Sequence, residues 1–174
     1  LYGPTETTIW STIWRVRQPD AGIRIGRPIA NTQIHVLDER AQPCPIGVPG
    51  EIVIGGAGVA LGYHNQPLLT TERFMPDTFS GIAGGRLYRT GDLGRWTWTG
   101  DLEHLGRMDH QVKVRGFRIE LGEIEATLQR HELIKQAVVV THEVASDDVR
   151  LVAYLVSPYE VASDTLTSQL RTHL

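Results

Sequence analysis

Between Gly106 and Glu125 the chain reads GRMDHQVKVRGFRIELGEIE, and no single secondary-structure period runs through it. Val112, Val114 and Phe117 alternate with Lys113, Arg115 and Arg118, which is the pattern of a strand. Gly116 breaks that strand, and from Leu121 the apolar spacing becomes helical through Leu121, Ile124 and Leu128. A cationic strand, a glycine break and an acidic helix start suit a loop that meets an anion and moves. After this switch the sequence predicts a strand Gln136–Thr141, a turn at Ser146-Asp147-Asp148, a strand Arg150–Val156 and a final helix. With the strand near Val112 and a helix over Leu121–Arg130, the order is β-α-β-β-α, a small α+β unit.

The segment before it reads differently. Thr32–Asp38 alternates as a strand, and Pro43, Pro45, Gly47, Pro49 and Gly50 form a turn-rich loop. A second strand, Glu51–Ile54, then runs into Gly55-Gly56-Ala57-Gly58. Leu68–Phe74 is expected to be a short helix, with Thr70 or Thr71 near its start. Arg95–Trp98, a turn at Thr99-Gly100-Asp101 and Leu102–Leu105 form a predicted hairpin with Trp96 and Trp98 on one face. The expected fold is therefore α+β: an antiparallel, β-rich, barrel-like subdomain over 1–108, then a small C-terminal subdomain over 109–174, with the boundary at Met108–Asp109.

At 174 residues, 41% apolar and 21% charged, the chain has the composition of an ordinary globular protein. A net charge of −3 gives no global field favouring nucleic acid or an acidic membrane surface. No apolar run approaches the ~20 residues of a membrane-spanning helix. The single cysteine, Cys44, sits between two prolines and has no internal partner, which fits a loop in a reducing compartment such as the cytoplasm. The chain starts at Leu1, without methionine, and stops at Leu174 in a helical pattern, as expected of a piece of a longer polypeptide.

Three short motifs carry chemistry. In Tyr2-Gly3-Pro4-Thr5-Glu6, a turn at Gly3-Pro4 can present Tyr2 as a flat surface for adenine. Thr5 offers a hydroxyl to a phosphate oxygen, and Glu6 a hard oxygen ligand for Mg2+. A plain turn with a cap fits the same five residues. Asp92, closing Tyr88-Arg89-Thr90-Gly91-Asp92, is either a turn aspartate or an acceptor for both ribose hydroxyls. Arg107 follows it by fifteen residues across the predicted hairpin, which returns the chain so that both can reach one ligand. Gly55-Gly56-Ala57-Gly58 lacks the spacing of a phosphate loop and reads as structural. The seven histidines show no metal-ligand spacing, and no GxSxG elbow supports a serine hydrolase.

In this order, Tyr2–Glu6, Tyr88–Asp92 and Gly106–Glu125 resemble the nucleotide-binding motifs of nonribosomal peptide synthetase adenylation domains. These domains belong to the larger group containing acyl-CoA synthetases and luciferases. Glu51–Tyr63 follows that family's scaffold motif, and Asp109, Gln111-Val112-Lys113 and Arg118–Glu125 favour the amino-acid branch over acyl-CoA synthetases. The resemblance implies that Tyr2, Gly3, Thr5, Asp92 and Arg107 bind ATP or AMP, with Glu6 at Mg2+ and Asp92 on the ribose. It makes Asp109 a hinge, and Lys113, Arg115 and Gly116 a loop that swings in for the second half-reaction; charges guarding an edge strand would also explain Lys113 and Arg115. Leu1, Ile9 and Trp10 would line the amino-acid pocket, filling it and selecting glycine, then alanine; alternatively, Ile9 and Trp10 extend a core with Ile13 and Trp14.

The implied reaction forms aminoacyl-AMP and passes the aminoacyl group to the phosphopantetheine thiol of a peptidyl carrier domain, beside other synthetase domains of the same polypeptide. The family's upstream phosphate loop, its amine-binding aspartate and its catalytic lysine, expected downstream, lie outside these residues, so the 174 residues alone are expected to be inactive. Other readings are an acyl- or aryl-acid ligase and a non-catalytic remnant. Retention of Tyr2, Thr5, Glu6, Asp92 and Arg107 argues for the enzyme.

Overall fold

Residues 1–16, 24–109, 111–114, 117–145 and 148–158 are described by the computed structural model, without the side chains of 113, 118, 144, 145 and 148. Two compact units divide the chain, Leu1–Asp109 and His110–Leu174.

The first unit is one curled antiparallel sheet. Its strands are β1 (Thr12–Ile13), β2 (Arg24–Pro28), β3 (Thr32–Leu37), β4 (Gly50–Gly56), β5 (Phe74–Pro76), β6 (Arg86–Trp96) and β7 (Leu102–Arg107). They lie in the order β1-β2-β7-β6-β4-β3, with β5 paired to β6. β4 explains the arrangement. Ile52, Val53 and Ile54 are buried in succession, so both faces of this strand are covered. Ile52 and Ile54 meet Ile25, Ile34, Val36 and Leu102 on one face, while Val53 meets Leu37 and Leu87 on the other.

The helix expected at Leu68–Phe74 is α1 (Pro67–Arg73), opened by proline at its first position. Thr70 and Thr71 lie inside it rather than at its start. Their hydroxyls donate back to the carbonyls of Gln66 (2.8 Å) and Pro67 (3.0 Å). The predicted hairpin is present but longer. β6 begins at Arg86, and β7 runs on to Arg107, so Asp92 and Arg107 are register partners. Trp96 ends the strand against the core, whereas Trp98 lies in the turn and is 85% exposed. The two tryptophans therefore do not share a face: alternation stops where the strand stops.

In the second unit, β8 (Gln111–Val114) pairs antiparallel with β9 (Phe117–Glu120). Next come α2 (Leu121–Gln129), β10 (Gln136–Ala145) and β11 (Asp148–Val156), the last two forming an antiparallel pair. The helical spacing holds: Leu121 and Leu128 are buried with Ile134, Ala137 and Val139, and Ile124 packs against them. β9 is the element the periodicity did not separate, because a strand four residues long leads straight into the helix. The expected turn residues Ser146 and Asp147 and the final helix lie outside the described residues, as do Arg115 and Gly116. Among the described residues, no helix is long and apolar enough to cross a membrane.

Ile54→Ala empties a fully buried site shared by β3, β4 and β2, and should lower unfolding free energy by about 2–5 kcal/mol. Trp98→Ala should change it by less than about 0.5 kcal/mol. Chemical denaturation of the two variants checks this contrast; equal losses would contradict the assigned core.

Candidate functional site

The site begins with a fault in the β4–β6 ladder. Glu51 pairs with Leu93 and Val53 with Arg89, so Thr90, Gly91 and Asp92 together face the single residue Ile52. Such a bulge bends its strand and re-aims a side chain. Thr90 fills the fault: its hydroxyl donates to the Ile52 carbonyl at 2.6 Å and accepts the Asp92 N–H at 3.0 Å. Glu51 Oε1 accepts the Gly91 N–H at 3.1 Å, and the Gly91 carbonyl accepts the Met108 N–H at 2.8 Å. Gly91 has φ +71°, and a Cβ there would lie 2.8 Å from Asp109 Oδ2 and 2.9 Å from Arg107 Nη2. The left-handed backbone favours glycine here, and a side chain would press on the Arg107–Asp109 pair.

The bulge aims Asp92 into a ring of donors. Its side chain is 11% exposed. Oδ2 accepts the Tyr2 hydroxyl at 2.6 Å, and Oδ1 accepts Arg107 Nη1 at 2.8 Å, with His104 Nε2 at 3.4 Å. Burial alone would push the Asp92 carboxyl up. Hydrogen bonds from His104 and Tyr2 and the charge of Arg107 outweigh it and hold the group below the usual carboxylate range. Tyr2 is shifted the other way, first by burial and then by the Asp92 charge, so its phenol stays protonated. His104 Nδ1 accepts the Gly106 N–H at 3.3 Å, which leaves the proton of a neutral ring on Nε2, facing Asp92. Arg107 is gripped on its other edge by Asp109, through Nε–Oδ1 at 2.6 Å and Nη2–Oδ2 at 2.7 Å. This two-point geometry fixes the guanidinium plane.

Tyr2 is held by the backbone of Ser11 and Thr12, both donating to its carbonyl. The chain between doubles back so tightly that a Cβ on Gly3 would lie 2.5 Å from the Ile9 carbonyl oxygen. A 3-10 turn, Thr5–Thr7, carries Thr5 outward, exposed, and Glu6 half-buried. Glu6 Oε1 accepts the Tyr63 hydroxyl at 2.7 Å, and the Glu6 carbonyl accepts the Ala60 N–H. The glycine-rich segment thus braces the first motif, with the Gly58 carbonyl also accepting the Thr8 hydroxyl. Thr8 and Ile9 have φ of 62° and 70°. Two β-branched residues in succession at positive φ store backbone strain, a feature that clusters at functional sites.

A single carboxylate beside a hydroxyl-bearing turn fits Mg2+, which keeps several waters and takes further oxygens from substrate phosphates. No group of three or more metal-ligating side chains occurs among the described residues. Leu1, Ile9 and Trp10 are 66%, 66% and 56% exposed, and Ile13 is exposed as well. Ile9, Trp10 and Ile13 thus lie outside the buried clusters of the described residues, and Trp14 is half-buried. Asp109 lies against Arg107 and within 3.8 Å of Arg73. Lys113 is on β8 with its side chain outside the described residues, where Arg115 and Gly116 also lie. Sequence reasoning missed Glu51, Tyr63, Arg73 and His104. His104 alone had a legible signal, since it sits on the predicted hairpin strand Leu102–Leu105, three residues before Arg107.

Residues 1–64 match the family model described as AMP-binding enzyme. The chain is 51% identical over 175 residues to the dimodular nonribosomal peptide synthase of Bacillus subtilis (strain 168), an alignment covering 100% of this chain and 7% of that protein. Among solved structures it resembles the Vibrio cholerae adenylation domain AlmE in complex with glycyl-adenosine-5'-phosphate. That likeness has a TM-score of 0.84 and 31% identity, covering 100% of this chain and 34% of that one. It also resembles PA1221, a protein containing adenylation and PCP domains, at TM-score 0.80 and 32% identity, covering 97% of this chain and 34% of that one. The chain thus spans a small part of that synthase and about a third of each of these structures.

Tyr2→Phe removes one donor from Asp92 and should destabilise the protein by about 1.5–3 kcal/mol at pH 7, the range for a hydrogen bond to a charged group. Because the folded pKa of Asp92 lies below its unfolded value of about 3.9, its stabilisation is complete above that value. It is lost as pH falls through the folded pKa. The variant should therefore flatten the acid limb of unfolding free energy against pH; an unchanged limb would contradict the assignment.

Proposed function

The chain belongs to the AMP-binding enzymes, as part of a nonribosomal peptide synthetase adenylation domain, and from that premise we propose that it helps activate an amino acid with ATP inside a longer polypeptide. The observation that carries this reading is Asp92, an ionised carboxylate presented by a bulge and steadied by Tyr2 and Arg107. An acceptor of this kind suits the paired hydroxyls of a ribose.

In the proposed reaction an amino-acid carboxylate oxygen attacks the α-phosphorus of ATP. The new P–O bond forms as the bond to pyrophosphate breaks, leaving aminoacyl-AMP. The aminoacyl group then passes to the phosphopantetheine thiol of a carrier domain, and AMP departs. No side chain serves as nucleophile; positioning and charge carry the rate. Asp92 holds the ribose, Arg107 fixes Asp92 and lies beside the nucleotide, and Tyr2, on the turn at Gly3, borders the adenine. Thr5 donates its hydroxyl to a phosphate oxygen, and Glu6 would hold Mg2+, which when bound would supply positive charge against the phosphates. Asp109 serves as the hinge between the two subdomains. Lys113, Arg115 and Gly116 serve the second step. The 174 residues alone do not adenylate at a useful rate, because a complete constellation needs groups beyond them. The carrier and neighbouring synthetase domains are the partners, and one unpaired cysteine fits a reducing, cytoplasmic setting.

For substrate, the reading is glycine, with alanine second. Leu1, Ile9 and Trp10 present large apolar side chains on the strained turn and would fill the side-chain pocket, and steric exclusion discriminates strongly. The complex of AlmE with a glycyl adenylate supports a small amino acid on this fold.

Amino-acid-dependent exchange of labelled pyrophosphate into ATP, measured on the full-length synthetase, tests the reading. Glycine should drive exchange, and Trp10→Ala should admit larger amino acids. Asp92→Asn should cut kcat/KM for ATP by about 10–100-fold, the range for losing a hydrogen bond to a charged group. Exchange driven only by fatty or aryl acids would move the chain to the acyl-activating branch, and none at all would overturn the enzyme.

A further inference from the structure

Glu51 is the most unusual buried side chain outside the proposed ligand set. It lies on β4 amid Ile52, Val53 and Ile54, in a run that is otherwise apolar, yet it is only 7% exposed. A carboxylate in such a place costs stability unless it is paired. Arg89 supplies a pair, with Nε at 2.9 Å and Nη2 at 2.6 Å, both on Oε2. The Arg89 side chain is 49% exposed, however, and a half-solvated ion pair adds little. Stability alone gives weak grounds for an acid here.

The other oxygen has a different task. At the bulge, β6 loses its regular pairing with β4, and the Gly91 N–H has no ladder carbonyl opposite it. Glu51 Oε1 takes that place at 3.1 Å, in a buried bond. The Gly91 carbonyl is tied from the other side by Met108, and the Asp92 N–H by Thr90 Oγ1. These ties fix the peptide on which Asp92 stands.

We propose that Glu51, acting with Thr90, is a positioning residue for nucleotide recognition: it replaces a missing sheet acceptor and so sets the aim of Asp92, an inference that rests on Asp92 as the ribose acceptor. Glu51 itself touches no substrate. A misplacement of about 1 Å can cost as much as 100-fold in rate, so small slack in the bulge is enough to matter.

The test uses the full-length synthetase in pyrophosphate exchange with ATP and with 2'-deoxy-ATP. Glu51→Ala should lower kcat/KM for ATP about tenfold, chiefly through KM for ATP, with KM for the amino acid unchanged. With 2'-deoxy-ATP the same substitution should cost less than about threefold, because part of what Glu51 aims at is gone. Glu51→Gln keeps an oxygen for Gly91 while Arg89 turns to solvent, and should recover most of the loss. Thr90→Val removes the second tie and should reproduce the pattern, including where Glu51→Ala does not fold. Equal losses with both nucleotides, or a matching rise in the amino-acid KM, would overturn the positioning role while leaving the ribose assignment intact. A wild-type enzyme that uses the two nucleotides equally would overturn that assignment, and this inference with it.

Discussion

A carboxylate that has lost nearly all contact with water must be met by donors, and Asp92 is met by three from two separate parts of the first unit. Tyr2 comes from the start of the chain, Arg107 and His104 from β7. Each of these is fixed in turn: Tyr2 by Ser11 and Thr12, Arg107 by Asp109, and His104 by the Gly106 N–H. Burying the charge thus locks the first motif to the β6–β7 hairpin. Satisfying Asp92 and building the site are one event, and a half-satisfied ring would cost more than an apolar one.

The bulge makes this possible. A regular β6 would turn successive side chains to alternate faces and keep every N–H on its ladder. Three residues opposite one break that rule, and the orphaned groups are recovered by the Thr90 hydroxyl and the Glu51 carboxylate. The same economy appears at Thr8 and Ile9, where positive φ is held by the bonds of Tyr2 to the far side of the turn and of Thr8 to Gly58. Local geometry that a chain resists is kept where surrounding contacts over-determine it.

What the sequence revealed follows from the range of each interaction. Leu121, Ile124 and Leu128 announced their helix because i, i+3 and i+7 contacts are local. The meeting of Asp92 with Arg107 was legible because a hairpin maps sequence distance onto space symmetrically about its turn. Glu51 was illegible, since its use depends on a register shift against a strand forty residues away. Tyr63 reaching Glu6 across 57 residues is of the same kind. Trp98 misled because alternation was carried past the true end of β6. Leu1, Ile9 and Trp10 read as apolar, but their exposure became visible only once the turn carrying them was built.

Placement of the ribose against Asp92 is the claim on which the account turns, and a crystal structure of the complete adenylation domain with AMP tests it most directly. The 2'- and 3'-hydroxyls should lie within hydrogen-bonding distance of the Asp92 carboxylate, with Arg107 still engaged on Oδ1. A ribose bound elsewhere, with Asp92 still closed on Tyr2, Arg107 and His104, would make the cluster a structural lock and contradict the account.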